Sequence, residues 1–148
     1  MNNRNEELQV FLRPRRRVHL VGIGGVSMCP LGLVLQGMGV IVTGSDMSVT
    51  KTTEELKKKG IPVYIGHQAS NINGAECVIR TAAVHNDNPE IAAARSAGIP
   101  VFERAQAWGV IMRAYKNAVC VSGTHGKTTT TSMLTHILME ANWDPTVM

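Results

Sequence analysis

Two glycine-rich segments punctuate this chain, and each lies between a short apolar run and residues at helical spacing. The first segment, residues 22–27, follows the β-branched run at 18–21, and the second, residues 123–129, follows the apolar run at 118–122. A glycine-rich turn between a strand and a helix N-terminus directs backbone N–H groups at a phosphate chain. The arrangement therefore predicts an α/β fold with two nucleotide-binding turns.

Short apolar runs alternate with helical segments along most of the sequence. The predicted strands lie at 18–21, 40–43, 62–65, 77–81 and 101–102, and the clearest predicted helices between them at 52–59 and 89–97. Such alternation is typical of a mostly parallel sheet with helices on both faces. We therefore predict a Rossmann-like domain at 18–113. Residues 114–148 are predicted to form the first strand, P-loop and helix of a truncated ATP-binding domain.

The net charge of +4 is concentrated near the N-terminus, where residues 1–17 hold five arginines against two glutamates. A short arginine run before the first strand is usually a solvated flank. We therefore expect residues 1–17 to be a basic arm outside the sheet domain. No aromatic residues interleave with the arginine run as a stacking platform would need, so we expect no nucleic-acid partner.

The composition also indicates the compartment. The sequence contains no apolar run long enough to cross a membrane, and no apolar segment follows the N-terminal charges as in a secretory signal. The three cysteines, Cys29, Cys77 and Cys120, are far apart and lie in apolar stretches, which predicts buried, unpaired thiols in a reducing cytoplasm. We expect a cytoplasmic protein with no membrane association, and no obligate protein partner is evident.

The second glycine segment has the groups that hold a nucleoside triphosphate, although Val121 stands where the general P-loop pattern has its first glycine. Lys127 supplies a positive charge, Thr128 a hydroxyl ligand for Mg²⁺, and His125 lies within reach of a terminal phosphate; these three are the predicted catalytic residues. The predicted ATP-binding residues are Gly123, Thr124, His125, Gly126, Lys127, Thr128 and Thr129. No strand ending in Asp or Glu follows to complete the metal site, so we expect the front of a longer enzyme.

The first glycine segment approaches the dinucleotide fingerprint but has Ser27 in place of the third glycine. It is therefore either a tight turn without a ligand or a turn that holds a diphosphate at the N-terminus of the next helix. Asp46, at the end of the second predicted strand, is either a surface turn residue or an acidic group that meets a ribose or base. These features also fit an NAD-dependent oxidoreductase domain, although a dehydrogenase has no use for a second phosphate loop.

Together the two loops resemble those of the Mur ligases. The string T-H-G-K-T-T-T-T at 124–131 is specific within that superfamily, and the resemblance covers about residues 18–148. Further matches lie at His19-Leu20-Val21, Gly44-Ser45-Asp46, Gly66-His67, Asp87-Asn88-Pro89-Glu90 and Arg104-Ala105. Two positions depart from the family pattern: Ala82 replaces a hydroxyl residue, and Gln106 replaces an expected acidic residue.

The resemblance implies that the first domain binds UDP-N-acetylmuramate. The residues implied are Gly22, Ile23, Gly24, Gly25, Val26 and Ser27 for the diphosphate, Ser45 and Asp46 towards the uridine, and Thr81 and Ala82 in a turn that closes the site. The resemblance further implies an ATP-dependent amide ligase of peptidoglycan precursor synthesis. In such an enzyme ATP and Mg²⁺ activate the substrate carboxylate as an acyl phosphate, which the amine of L-alanine attacks. The chain by itself is expected to bind without catalysing.

Two further alternatives stay open at the level of the sequence. One is a sister ligase that adds a preformed peptide to the same nucleotide, because the part of such an enzyme that selects the amine lies beyond residue 148. The other is a binding or regulatory module that keeps the fold without catalysis. The gene beyond Met148 discriminates them, because a complete ligase needs roughly 300 further residues.

Overall fold

The computed structural model describes residues 2–147 and contains two compact units. The first unit ends at Ala114 and the second begins at Tyr115. This division lies one residue beyond the expected boundary between residues 113 and 114.

The first unit is built on a single parallel sheet. Its strands are β1 (Arg17–Val21), β2 (Ile41–Asp46), β3 (Val63–Ile65), β4 (Cys77–Arg80) and β5 (Val101–Glu103). They pair in the order β3-β2-β1-β4-β5, with every pairing parallel. The predicted Rossmann-like parallel sheet is therefore confirmed. The chain crosses from β3 to β4 over β2 and β1, so the strand order reverses between β1 and β4 and the carboxyl ends of β1, β2 and β4 surround the position where open α/β sheets bind ligands.

Helices cover both faces of this sheet. They are α1 (Asn2–Phe11), α2 (Met28–Gly37), α3 (Lys51–Lys58), α4 (Pro89–Ser96) and α5 (Arg104–Arg113), with a 3-10 turn at Ala69–Ile72. Because successive strand residues point to opposite faces, Leu20 of β1 joins the apolar core that includes α2 and α5, whereas Val21 joins the core formed with α4 and the 3-10 turn. Among residues 2–147, no helix combines the length and the apolar character that spanning a membrane requires.

The N-terminal segment differs from the basic arm that the sequence analysis predicted. It forms α1, and Leu8 and the following Leu12 are buried in the main core. The Arg4 guanidinium donates a hydrogen bond to the carbonyl oxygen of Val101 at 3.1 Å and lies 5.7 Å from the centroid of the Phe102 ring. Leu8 and Leu12 are four residues apart and so share one helix face. The prediction of a solvated arm was wrong because this apolar pair outweighs the arginines.

The second unit contains α6 (Lys127–Glu140), as the helical spacing predicted. The strand predicted at 118–122 is not formed. A strand needs a neighbour to satisfy its N–H and C=O groups, and the described part of this unit offers no other strand. Val119 is accordingly 63% exposed. Cys120 is also exposed and Cys29 is only half-buried, which corrects the expectation that all three cysteines are buried.

Candidate functional site

The glycine loop at 22–27 leaves the carboxyl end of β1 and is held by the end of the neighbouring strand. The carbonyl oxygen of Ser45 accepts hydrogen bonds from the N–H groups of Gly22 and Ile23, at 2.8 and 3.0 Å. Gly22 has a φ of 81°, a left-handed conformation that residues with a side chain rarely adopt. A Cβ there would also lie 2.8 Å from Cγ2 of Thr81. The loop therefore requires glycine at its first position.

Gly24, the third residue of the loop, is held by Asp46. The N–H of Gly24 donates a hydrogen bond to Oδ2 of Asp46 at 2.8 Å. A Cβ on Gly24 would lie 2.8 Å from that same oxygen and 3.0 Å from Cγ2 of Thr53. Gly44 is needed for a similar reason, because a Cβ there would lie 2.5 Å from Cδ1 of the buried Ile23. Close packing between the loop and β2 thus explains two further glycines.

The end of the loop carries the N–H groups that are available to a ligand. Gly25 donates to the carbonyl oxygen of Gly22, whereas the N–H groups of Val26 and Ser27 make no hydrogen bond within residues 2–147. Ser27 caps α2 without a side-chain hydrogen bond, and Val26 is 95% exposed. Two open N–H groups at the positive end of a ten-residue helix form a site suited to an anion.

The turn after β4 lies next to the start of the loop. The N–H of Thr81 approaches the carbonyl oxygen of Val21 at 3.3 Å, and the turn closes where the N–H of Val84 donates to the carbonyl oxygen of Thr81 at 3.1 Å. Ala82 is exposed at its tip. The structure therefore brings Thr81 and Ala82 to the same edge of the sheet as the glycine loop.

Ser45 lies at this edge, but its side chain points away from solvent. The residue is fully buried, and its hydroxyl donates a hydrogen bond to Oε2 of Glu90 at 2.6 Å. Nδ1 of His67 lies 3.0 Å from the same carboxylate oxygen and 3.1 Å from the Ser45 hydroxyl. A ligand at the edge would therefore meet the backbone of Ser45 and not its side chain.

A buried carboxylate completes the group beneath the loop. Oε1 of Glu90 accepts a hydrogen bond from Nδ2 of Asn71 at 2.5 Å and lies 3.7 Å from Nε2 of His19. That nitrogen has no hydrogen-bond partner among the described residues. Burial alone would raise the pKa of Glu90. The interaction with His19 at 3.7 Å and the hydrogen bonds from Ser45 and Asn71 favour the charged form and outweigh burial, so the pKa of Glu90 falls to about 2. Glu90 is therefore ionised at neutral pH.

Reasoning from the sequence missed this cluster as a unit. It noted His19, His67 and Glu90 only in separate strings of the family match. The available signal was the Asn88-Pro89-Glu90 string, in which Asn88 caps α4 and Pro89 begins it. That string places Glu90 in the first helical turn but does not show which strand the carboxylate meets.

The second predicted site occupies the start of α6. Gly126 precedes the helix with a φ of 78°, a left-handed conformation suited to glycine. Nζ of Lys127 donates to the carbonyl oxygens of Gly123 and Thr124, at 2.7 and 3.4 Å. His125, Thr128 and Thr129 are exposed. The open N-terminus of a fourteen-residue helix, a lysine and two hydroxyl groups together fit a triphosphate with its Mg²⁺.

Comparison with known proteins identifies the class to which this fold and loop belong. The parallel sheet with a glycine loop at its carboxyl edge defines a Rossmann-like α/β domain. The model of the Mur ligase family, catalytic domain, matches residues 17–116. The chain belongs to the Mur ligase family.

Several similar proteins share one activity in their names. The UDP-N-acetylmuramate–L-alanine ligases of Caldicellulosiruptor bescii and Acetivibrio thermocellus are 51% and 50% identical over 86% and 89% of this chain. The crystal structure of UDP-N-acetylmuramate–alanine ligase from Thermotoga maritima is similar with a TM-score of 0.78 at 39% identity, over 85% of this chain and 30% of its own. The chain spans 28% of the length of those two curated relatives.

A peptide-adding ligase has a similar fold. The murein peptide ligase from Psychrobacter arcticus matches with a TM-score of 0.80 at 29% identity, over 86% of this chain and 27% of its own.

Proposed function

We propose that this chain is the N-terminal part of an ATP-dependent ligase of peptidoglycan precursor synthesis, and that its first unit binds UDP-N-acetylmuramate. In the complete enzyme, acting in the cytoplasm, L-alanine would be joined to that nucleotide. The observation that carries the proposal is the pair of open N–H groups of Val26 and Ser27 at the N-terminus of α2. The names of relatives that are 50% identical or more support the choice of nucleotide and amino acid.

Two groups of residues in the first unit would bind different parts of the nucleotide. The diphosphate would accept hydrogen bonds from Val26 and Ser27, and the absence of side chains at Gly24 and Gly25 would let it approach the backbone. Oδ2 of Asp46 accepts from Gly24, whereas within residues 2–147 Oδ1 makes only a long contact of 3.4 Å with the N–H of Ser48. We therefore assign Oδ1 to a ribose hydroxyl, which donates well to a carboxylate. Thr81 and Ala82 would line the opposite side.

The second unit would take part in ATP binding. Lys127 would neutralise charge on the β- and γ-phosphates, Thr128 would ligate Mg²⁺, and His125 lies in the loop that would hold the terminal phosphate. The Lys127 ammonium donates hydrogen bonds to two carbonyl oxygens of its own loop. Phosphate oxygens would replace these acceptors. ATP with its Mg²⁺ supplies the phosphoryl group that activates the substrate carboxylate.

Isothermal titration calorimetry of the 148-residue chain tests the nucleotide assignment. UDP-N-acetylmuramate, UDP and NAD are titrated separately. We expect the two uridine compounds to bind and NAD not to bind, because Ser27 stands in place of the third glycine of the dinucleotide fingerprint. Binding of NAD with no binding of either uridine compound would contradict the proposal and restore the oxidoreductase alternative.

The ATP assignment has its own test. One charge-assisted contact from Lys127 is worth about 1.5 to 3 kcal/mol, whereas micromolar affinity corresponds to about 8 kcal/mol. We therefore expect at best millimolar ATP binding by this chain, and no phosphate release with UDP-N-acetylmuramate and L-alanine present. Turnover by the 148-residue chain that is lost in Lys127→Ala would contradict the expectation that the catalytic groups are incomplete here.

A second candidate is a sister ligase that adds a preformed peptide, favoured by the similarity to the murein peptide ligase. Both candidates bind the same nucleotide, so only the amine discriminates them. The complete enzyme is assayed for ADP release with L-alanine and, separately, with a tripeptide. Turnover with L-alanine alone supports the first candidate, and turnover with the tripeptide alone supports the second.

A further inference from the structure

Glu90 occupies an unusual place for a carboxylate. It is fully buried, and the groups around it come from four other parts of the chain: His19 on β1, Ser45 on β2, His67 after β3, and Asn71 in the 3-10 turn. A buried charge is costly unless its oxygens accept hydrogen bonds. Both carboxylate oxygens of Glu90 accept hydrogen bonds, and these bonds link the surrounding elements to α4.

Capping does not explain this position. The N-terminus of α4 is capped by Asn88, whose Oδ1 accepts hydrogen bonds from the N–H groups of Glu90 and Ile91. The carboxylate of Glu90 is therefore not required to cap its own helix. It faces β2 instead, where it fixes the side chain of Ser45.

The backbone of Ser45 connects the cluster with the glycine loop. Its carbonyl oxygen accepts from Gly22 and Ile23, and the next residue, Asp46, accepts from Gly24. Three successive N–H groups of the loop are thus held by two adjacent residues of β2. With these three engaged, the open N–H groups are those at the helix end of the loop.

We propose that Glu90 is a positioning residue for the proposed nucleotide site, acting through Ser45 on the conformation of the glycine loop. This inference rests on the proposed function only for the identity of the ligand. A carboxylate is required because an ionised carboxylate is acceptor-only, and Ser45 and Asn71 both donate hydrogen bonds to it. A glutamine at this position would turn an NH₂ group towards at least one of these donors.

The test compares Glu90→Gln with Asn88→Ala as a matched control. The control removes the cap of the same helix and leaves every partner of the Glu90 carboxylate in place. We expect Glu90→Gln to weaken UDP-N-acetylmuramate binding about tenfold in calorimetry, as losing a hydrogen bond to a charged group implies. Asn88→Ala is expected to bind within about twofold of the parent while unfolding at a lower urea concentration.

A measurement made without ligand distinguishes a positioning role of Glu90 from a general effect on stability. Amide proton shifts of Gly22, Ile23 and Gly24 are recorded in the unliganded protein by NMR. Glu90→Gln is expected to move these three signals, and Asn88→Ala is not. If Glu90→Gln does not fold, Ser45→Ala replaces it, because that change removes the same hydrogen bond and keeps the carbonyl oxygen that holds the loop.

The outcomes are distinct. Unchanged loop signals in Glu90→Gln, or in Ser45→Ala where the former does not fold, would overturn the positioning role. If Asn88→Ala lost as much affinity for UDP-N-acetylmuramate as Glu90→Gln, the positioning role would also be overturned. If the parent binds no uridine nucleotide, the proposed function fails, and the amide shifts of the unliganded protein still decide whether Glu90 positions the loop.

Discussion

The N–H of Gly24 donates a hydrogen bond to the Oδ2 atom of Asp46 at 2.8 Å, which joins the glycine loop to the end of β2. The acidic residue at this place in a Rossmann-like sheet is usually assigned to the ribose. In this chain one of its oxygens has a structural role, because it holds the N–H of Gly24. The other oxygen, and the N–H groups at the start of α2, are the groups that we propose to bind the ligand.

Gly24→Ala tests this relationship. The new Cβ would lie 2.8 Å from Oδ2 of Asp46, so the carboxylate must move and its hydrogen bond is strained. We expect a loss of about 1 to 3 kcal/mol in the free energy of unfolding and at least about tenfold weaker binding of UDP-N-acetylmuramate. Urea unfolding and calorimetry measure the two effects.

The control is Gly37→Ala, at the end of α2, where a Cβ meets no atom within 4 Å. That change is expected to leave binding unaltered and to stabilise the helix by up to about 1 kcal/mol. Parent-like affinity in Gly24→Ala would show that the loop does not approach the ligand.

Local patterns predicted much of the sheet domain because its strands alternate with helices in a regular order. The run at 18–21 and the following glycines gave β1 and the loop, and Asp46 was predicted correctly at the end of β2. The direction of the Ser45 side chain could not be predicted. Its partner Glu90 lies 45 residues away, and only the folded arrangement of β2 and α4 brings the two together.

Two local predictions were wrong: a buried helix forms at the N-terminus, and no strand forms at 118–122. At the N-terminus the arginines predicted a solvated segment, but Leu8 and Leu12 are buried. Their burial depends on α5, which is distant in the sequence. At 118–122 the apolar residues are those of a strand, but a strand forms only beside another strand. In both cases tertiary partners decided the structure, and a sequence window contains none of them.

The helix α1 provides a second prediction. Leu8 is fully buried in the main core, so Leu8→Ala is expected to lower the free energy of unfolding by about 2 to 5 kcal/mol. Val10 lies on the same helix but is 37% exposed, and Val10→Ala is expected to cost less than about 1 kcal/mol. Urea unfolding followed by circular dichroism compares the variants. Equal stability of the two would mean that α1 does not belong to the core.

The cysteines provide a third prediction, because their exposure differs. Burial, with the nearby charges of Glu76 and Glu7, raises the pKa of Cys77 to about 12. Burial also raises the pKa of Cys29, against the opposing charge of Lys59. Since the thiolate is the reactive form, an aromatic disulfide reagent at neutral pH should modify exposed Cys120 first. Cys77 should react only on unfolding.

Mass spectrometry of protease fragments identifies the modified residue, and Cys120→Ser is the control that should remove the fast phase. A fast reaction of Cys77 in the folded protein would contradict the burial of β4.

The last prediction concerns acid stability and follows from Glu90. Its pKa is lowered from 4.5 to about 2 in the folded protein, so it contributes stability above about pH 4.5 and loses it as the pH falls towards 2. At 1.36 kcal/mol per pKa unit the contribution is on the order of 3 kcal/mol. Urea unfolding of the parent and of Glu90→Gln is measured at several values between pH 5 and pH 2.5. The parent should lose stability more steeply than the variant, because glutamine does not titrate and all other carboxylates are common to both. Identical slopes would show that the Glu90 carboxylate is not held in its charged form by Ser45 and Asn71.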